Sequence, residues 1–159
     1  MKYTVLCVGK LKERYWREAV AEYQKRLSAY VSFEMIETPD EKAPEKLSAA
    51  QAAQVKEKEA QRLLKYVGDQ TFLITLEIGG KAMSSEALSA FLQELPLRGK
   101  SQVAFAIGGS LGLGEAILAR SDYRLSFSPM TFPHQLMRVI LLEQLYRAQK
   151  ISRKEPYHK

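Results

Sequence analysis

The amino-acid sequence predicts an α/β fold built on a mostly parallel β-sheet. Short apolar segments alternate with longer amphipathic segments along the chain, which is the order typical of βαβ units. One short segment, Thr71–Ile78, is almost continuously apolar, as expected of a strand that is covered on both faces. The 159 residues are enough for one domain with a substantial core. We therefore expect a single domain over residues 1–159, with helices on both faces of its sheet.

The N-terminal part of the chain predicts two strands that are each followed by a helix. These elements are strand Tyr3–Val8, helix Glu13–Ser28, strand Phe33–Glu37 and a helix from Ser48 to about Tyr66. Apolar residues recur on one stripe of the first helix, where Trp16 and Val20 are four positions apart. Ser48 and Gln51 have the spacing of a capping box, which predicts where the second helix begins.

The C-terminal part predicts three more strands and three more helices. They are strand Thr71–Ile78, a helix from Ser84 or Ser85 to Pro96, strand Val103–Ile107, helix Glu115–Arg120, strand Tyr123–Phe127 and a long helix that begins at His134. We expect Gly79–Lys81 to form a turn after the third strand. Pro96 and Gly99 are expected to end the helix that they follow, because proline and glycine both interrupt helices.

Three loops follow the carboxyl ends of predicted strands, and they indicate a ligand site. These loops are Ile78–Lys81, Gly108–Gly114 and Ser128–Pro133. In open parallel sheets, ligands bind beyond the carboxyl ends of the strands. The glycine spacing excludes the dinucleotide fingerprint, since Ile117 stands where a third glycine would follow Gly112 and Gly114. Neither Gly80-Lys81 nor Gly99-Lys100 fits a Walker loop. The sequence thus predicts a small-ligand site but not the ligand.

The last predicted helix has apolar residues on too many sides for one small domain to cover. Four of them, residues 139–142, are consecutive. At about 100° per residue they point around most of the helix. A domain of 18.0 kDa can cover one side with its own sheet. We therefore expect the helix, at residues 135–150, to form a homodimer interface.

The charge distribution favours a polyanionic partner. The net charge is +6 and the isoelectric point is about 9.4. The last 22 residues contain six Lys or Arg residues and only two acidic ones. A basic segment of this kind is typical of nucleic-acid-binding surfaces.

Other features exclude several classes of protein and site. The single cysteine, Cys7, cannot form an internal disulfide and indicates a reducing compartment. The sequence has neither a signal peptide nor an apolar run long enough to cross a bilayer. We therefore expect a cytoplasmic protein without a membrane partner. The few histidine and cysteine residues are far apart in the sequence, so no metal site is expected.

Four sequence blocks resemble those of a known family. They are ITLEIGGK at 74–81, FAIGGSLGLG at 105–114, LSFSPMTFPHQLMRVILLEQLYRA at 125–148 and PYHK at 156–159. Together they are similar to the ribosomal large subunit methyltransferase H group of the knotted SPOUT methyltransferases. That group methylates N3 of a pseudouridine in bacterial 23S rRNA. The resemblance extends from the first strand to the last residue. Ser110 departs from the pattern, since some relatives have proline there.

The resemblance implies a C-terminal trefoil knot, with the knot and cofactor region at about residues 71–151 and a tail at 152–159. It also implies that S-adenosylmethionine (SAM) binds in the knot as co-substrate, without a metal. The implied cofactor-binding residues are Leu76, Gly108, Phe127, Ser128, Pro129, Met130, Thr131 and Phe132. Their chemistry is suitable, because loop backbone can read an adenine edge and apolar side chains can enclose it.

The implied reaction also needs groups that handle the acceptor base. The acceptor nitrogen carries a proton, so a base or a cation that stabilises the anion is required. Arg138 could stabilise that anion, and His158 could take up a proton. Tyr157 could stack on the unpaired base. The resemblance places the active site at the dimer interface, so we expect this tail to act in the partner subunit's pocket. The candidate RNA-binding residues are Arg153, Lys154 and Lys159.

Two other interpretations stay open at this stage. The acceptor could be a ribose 2′-hydroxyl of tRNA, although the closing Tyr157-His158-Lys159 is evidence against it. The chain could also be a ribosome-binding module without activity. His134, at the start of the last helix, is expected to fix the preceding loop through a hydrogen bond.

Overall fold

The computed structural model describes residues 1–157 as a five-stranded sheet with helices on both faces. The elements are β1 (Lys2–Val8), α1 (Arg14–Leu27), β2 (Ser32–Thr38), α2 (Ala49–Leu64), β3 (Phe72–Ala82), α3 (Ser85–Leu97), β4 (Gln102–Ile107), α4 (Glu115–Arg120), β5 (Tyr123–Ser126) and α5 (His134–Ser152). The predicted α/β fold is confirmed.

The sheet is parallel throughout, with the strand order β2-β1-β4-β3-β5. All five strands therefore end at the same edge. The loops after β4 and β5 lie on either side of the end of β3, which brings the glycine loop and the Ser128–Pro133 loop together. The trefoil knot that the resemblance implies stays a prediction.

The third strand is longer than predicted. It continues through Gly79–Lys81, where the sequence predicts a turn. Leu76 and Lys81 both pair with Leu125 of β5, so the four residues between them form a bulge. A Cβ atom on Gly80 would lie 2.7 Å from the backbone carbon of Leu125, so only glycine fits this close approach.

Capping and helix ends mostly follow the sequence. Ser48 and Gln51 make both hydrogen bonds of the predicted capping box. Pro96 does not end α3, which continues to Leu97. Gly99 follows the helix with φ +76°, a conformation that glycine adopts without strain.

The core is divided by the sheet into two layers. Helices α1, α3 and α5 cover one face, and α2 with α4 covers the other. Helix α5 buries Leu141, Leu142 and Leu145 against the sheet, whereas Leu136 and Ile140 stay half-buried. Leu136 and Ile140 lie on the outer side of α5, where the homodimer interface is predicted, and a single chain does not test that prediction. In the described part of the chain, no helix combines the length and apolar character needed to cross a membrane.

Candidate functional site

A cavity of about 350 Å³ lies at the carboxyl ends of β3, β4 and β5. Three segments line it, namely the end of β3, the glycine loop and the loop that leads into α5. Seven of the eight predicted cofactor residues line this cavity: Leu76, Gly108, Phe127, Ser128, Met130, Thr131 and Phe132. Pro129 is not among the lining residues.

Gly108 and Gly109, at the start of the loop after β4, lie close to other parts of the protein. A Cβ on Gly108 would lie 2.5 Å from the backbone of Gly112. A Cβ on Gly109 would lie 3.2 Å from both a carboxylate oxygen of Glu59 and a methyl group of Val8. These glycines thus allow a close approach within the protein itself, and that approach shapes the cavity wall.

The loop between β5 and α5 is held by its own serines. The Ser126 hydroxyl donates to the carbonyl of Ser128 at 3.2 Å, and the Ser128 hydroxyl accepts from the backbone N–H of Met130 at 3.0 Å. No side chain caps the N-terminus of α5 among the described residues. The backbone donors of the first turn of α5 are therefore available near the cavity. The N-terminus of α5 is the positive end of its helix dipole and favours a carboxylate or another anionic group.

Among the lining residues, Glu77 and Met137 were not predicted from the sequence. Glu77 lies in the β3 bulge beside Ile78, which begins the predicted loop Ile78–Lys81, and Met137 reaches the cavity from the first turn of α5. Ile78, Leu111 and Met130 are large hydrophobic residues that line the cavity and are nevertheless exposed. Apolar groups exposed at the mouth of a pocket are typical of surfaces that another molecule covers.

Arg138 is buried at the end of β1, where its two terminal nitrogens are paired and its Nε has no hydrogen-bond partner among residues 1–157. Its side chain is 0% exposed, and Nη1 donates to the carboxylate of Glu37 at 2.7 Å. Nη2 donates to the carbonyls of Val8 and Gly9, both at 2.8 Å. Arg138 is not among the residues that line the cavity. These contacts fasten α5 to β1 and β2, which favours a positioning role over direct contact with a reacting base.

His134 lies at the start of α5 and lines the cavity. Burial, with Arg138 nearby as a second cause, lowers the pKa of its imidazole. The neutral form is therefore favoured near pH 7. Its expected hydrogen bond to the preceding loop is not present among the described residues.

The C-terminal tail lies against α5 of its own chain. The Tyr157 hydroxyl donates to Glu143 at 3.1 Å, and its ring centroid is 4.9 Å from that of Tyr146. Glu155 accepts hydrogen bonds from Tyr30 and Lys150 at 2.8 and 2.6 Å. Tyr157 does not line the cavity of its own chain. The predicted His158 and Lys159 lie outside the described residues.

The basic surface is smaller than the sequence count suggests. Arg138 is buried, Arg147 pairs with Glu143 at 2.6 Å and Lys150 pairs with Glu155 at 2.6 Å. Arg153 and Lys154, two of the predicted RNA-binding residues, are exposed. Within residues 1–157, no group of three acidic, histidine or cysteine residues could hold a metal ion.

Comparison with known proteins gives a family match over nearly the whole chain. The family model "Predicted SPOUT methyltransferase" matches residues 1–158. A probable methyltransferase from Bordetella pertussis has a similar structure, with a TM-score of 0.56 and 14% identity over 93% of this chain and 95% of its own. A probable methylase family protein from Haemophilus influenzae gives a TM-score of 0.56 and 11% identity over 99% and 70% of the two chains. A Legionella pneumophila protein with bound SAM gives 0.51 and 13% identity over 93% and 66%.

Proposed function

The chain belongs to the SPOUT methyltransferase family, and from this premise we propose that it transfers a methyl group from SAM to N3 of a pseudouridine in bacterial 23S rRNA. The observation that carries the proposal is the cavity at the ends of β3, β4 and β5, where seven of the eight residues expected to bind the cofactor meet. The resemblance of the 125–148 and 156–159 blocks to the methyltransferase H group supports the choice of acceptor.

The residues around the cavity suit SAM. The backbone of the loop that ends β5 offers hydrogen-bonding groups to an adenine edge, and Leu76, Leu125 and Phe132 supply apolar walls. Glu77 also lines the cavity, and its carboxylate pairs with Arg124 at 3.6 Å. The bound SAM of the Legionella pneumophila protein, which shares the fold, supports this choice of co-substrate.

The proposed reaction forms a bond between N3 of the base and the methyl carbon, while the carbon–sulfur bond breaks. The bonding electrons stay on sulfur, and S-adenosylhomocysteine leaves. The proton of N3 must pass to a base. We assign base handling to the tail residues Tyr157, His158 and Lys159 of the partner subunit, with Arg153 and Lys154 on the RNA backbone.

This assignment requires a homodimer through α5. The half-buried Leu136 and Ile140 on its outer side are suitable for such an interface. The tail is anchored on α5 of its own chain through Tyr157. Tyr157, the last described residue, thus lies against the helix that the proposal places at the interface. The proposed setting is the cytoplasm, with the ribosome as partner.

The cofactor site is tested by calorimetry with SAM. We expect micromolar binding by the purified protein without added metal. Gly108→Ala should weaken it at least tenfold, because the new Cβ would collide with the backbone of Gly112 and distort the cavity wall. Gly79→Ala is the matched control, since nothing lies within 4 Å of a Cβ at that position. A folded Gly108→Ala protein with wild-type affinity would contradict the placement of the site.

The acceptor is tested by mass spectrometry of RNA from cells with and without this gene. We expect one methyl group to disappear from a pseudouridine of 23S rRNA when the gene is deleted. Loss of a ribose methyl group from tRNA would instead establish the alternative 2′-O-methyltransferase. Unchanged RNA together with no SAM binding would indicate the non-catalytic module.

A further inference from the structure

A second cavity, of about 520 Å³, adjoins the cofactor cavity at the same edge of the sheet. It lies beyond the ends of β1 and β2, between the 38–47 loop, α2 and the glycine loop. Gly109, Ser110, Leu111 and His134 line both cavities. Because these four residues border both cavities, a molecule in the second cavity would lie next to the cofactor.

Glu59 is the unusual residue of the second cavity. It comes from α2 and is only 5% exposed. Its Oε1 accepts the backbone N–H of Glu41 at 3.0 Å. Its Oε2 faces Gly109, where a Cβ would lie 3.2 Å away. Within residues 1–157, no donor is hydrogen-bonded to Oε2, and the nearby cation Arg62 forms its ion pair with Glu41, so Oε2 can accept a hydrogen bond from another molecule.

The surroundings of Glu59 disfavour the charged form of its carboxyl group. Burial raises the pKa of its carboxyl group, as expected when a charge loses water without gaining a full set of partners. Perturbed acidic groups in clefts are typical of functional sites. At the rim, Lys10 and Lys12 are exposed and could contact a phosphate.

The missing partner of Glu59 is an N–H donor of a molecule that lies beside the methyl donor. This deduction depends on the proposed function, in which that molecule is the acceptor base. Pseudouridine has two ring N–H groups, N1–H and N3–H. Uridine has only N3–H and presents a C–H group where pseudouridine has N1–H. A carboxylate that accepts from N1–H while N3 faces the methyl group would therefore distinguish the two bases.

We propose that the second cavity receives the acceptor base, and that Glu59 selects pseudouridine over uridine by accepting its N1–H. Glu59 is thus a specificity-determining residue that contacts the substrate away from the atom that is methylated. A site built to bind a donor rejects a base that lacks it, because its own acceptor is then left unpaired.

The test compares two acceptors that differ only at this position. Ribosomes from cells that lack the gene carry the unmethylated pseudouridine. Ribosomes from cells that also lack the responsible pseudouridine synthase carry uridine at the same position. We expect wild-type kcat/KM for methyl transfer to be at least about a hundredfold higher on pseudouridine. Glu59→Gln should lower kcat/KM on pseudouridine at least about tenfold and leave the slow reaction on uridine unchanged, because it removes only the charge-assisted contact.

Two further variants separate recognition from structure. Glu59→Asp retains the negative charge, but its shorter side chain holds the carboxylate farther from the base. This variant should therefore also lose most of the preference for pseudouridine over uridine. Glu94→Gln, on the exposed surface of α3, is the matched control and should behave as wild type. SAM affinity measured in parallel should stay within about twofold for all three variants, because Glu59 does not line the cofactor cavity.

The outcomes are distinguishable. If Glu59→Gln lowers the rate equally on both acceptors, or fails to fold while Glu59→Asp retains the full preference, Glu59 has a structural role and the inference is wrong. If wild-type protein methylates both acceptors equally well, the N1–H is not recognised. If it binds SAM but methylates neither, the proposed acceptor itself is wrong.

Discussion

Two buried charges lie at the same edge of the sheet, and their surroundings differ sharply. Arg138, on α5, has a carboxylate and two carbonyls within hydrogen-bonding distance of its terminal nitrogens. Glu59, on α2, has one backbone donor for two oxygens. Both side chains are at least 95% buried. The difference teaches that a buried charge with several partners from other elements holds those elements together, whereas a buried carboxylate with one oxygen free of hydrogen bonds is available to a ligand.

The largest effect expected from this comparison concerns Arg138. Arg138→Met should lower the free energy of unfolding by about 3–5 kcal/mol, because it leaves Glu37 without its cation and frees two carbonyls. Urea unfolding of the purified protein measures this change. Arg98→Met is the control, since its pair with Glu94 is exposed and should contribute less than about 1 kcal/mol. A loss for Arg138→Met no larger than that of the control would remove the distinction between the two charges.

Glu59→Gln should have the opposite sign and a smaller effect. Burial raises the pKa of Glu59 above its value in the unfolded chain, so the folded state binds the proton more readily. The wild type therefore loses stability, relative to Glu59→Gln, as the pH increases from the unfolded pKa through the folded pKa. Thermal unfolding of both proteins between pH 4 and 8 tests this. A difference that shrinks with increasing pH would mean that Glu59 gains more from its surroundings than the structure indicates.

The smallest effect is expected at Tyr157, whose polar contact is half-buried rather than enclosed. Tyr157→Phe removes the hydrogen bond to Glu143 but retains the ring contact with Tyr146. Glu143 is still paired with Arg147, so no charge is left alone. We expect the free energy of unfolding to decrease by about 0.5–1 kcal/mol. Tyr157→Ala also removes the ring packing, so it should lower the free energy of unfolding by clearly more than Tyr157→Phe. Equal effects of the two substitutions would show that the hydrogen bond alone holds the tail.

The sequence predicts the fold and a ligand cavity at the strand ends because both depend on local patterns, whereas the choice of cofactor residues came from the family resemblance. Apolar segments, the Ser48 capping box and the glycine loop follow from residue type and spacing, and the parallel order then places the loops together. The bulge after Leu76 could not be predicted, since two glycines and a lysine are equally typical of a turn.

The partners of buried charges could not be predicted for a different reason. Arg138 meets Glu37 and Val8 across more than 100 residues of sequence, and a charged residue on a helix is ordinarily exposed. Glu59 lies in a helix that is polar over most of its surface, where nothing distinguishes it from its neighbours. Only the tertiary structure shows which charge is enclosed and which contacts it makes.

The residues that border both cavities have a thermodynamic consequence. Gly109, Ser110 and Leu111 contact whatever occupies either side, so a shift of this segment on binding one molecule changes the site of the other. Linkage makes such coupling reciprocal in equilibrium binding. If bound cofactor increases the affinity for the acceptor by some factor, bound acceptor increases the affinity for the cofactor by the same factor. S-adenosylhomocysteine differs from SAM only by the methyl group and its charge, so any difference in coupling between the two must come from these.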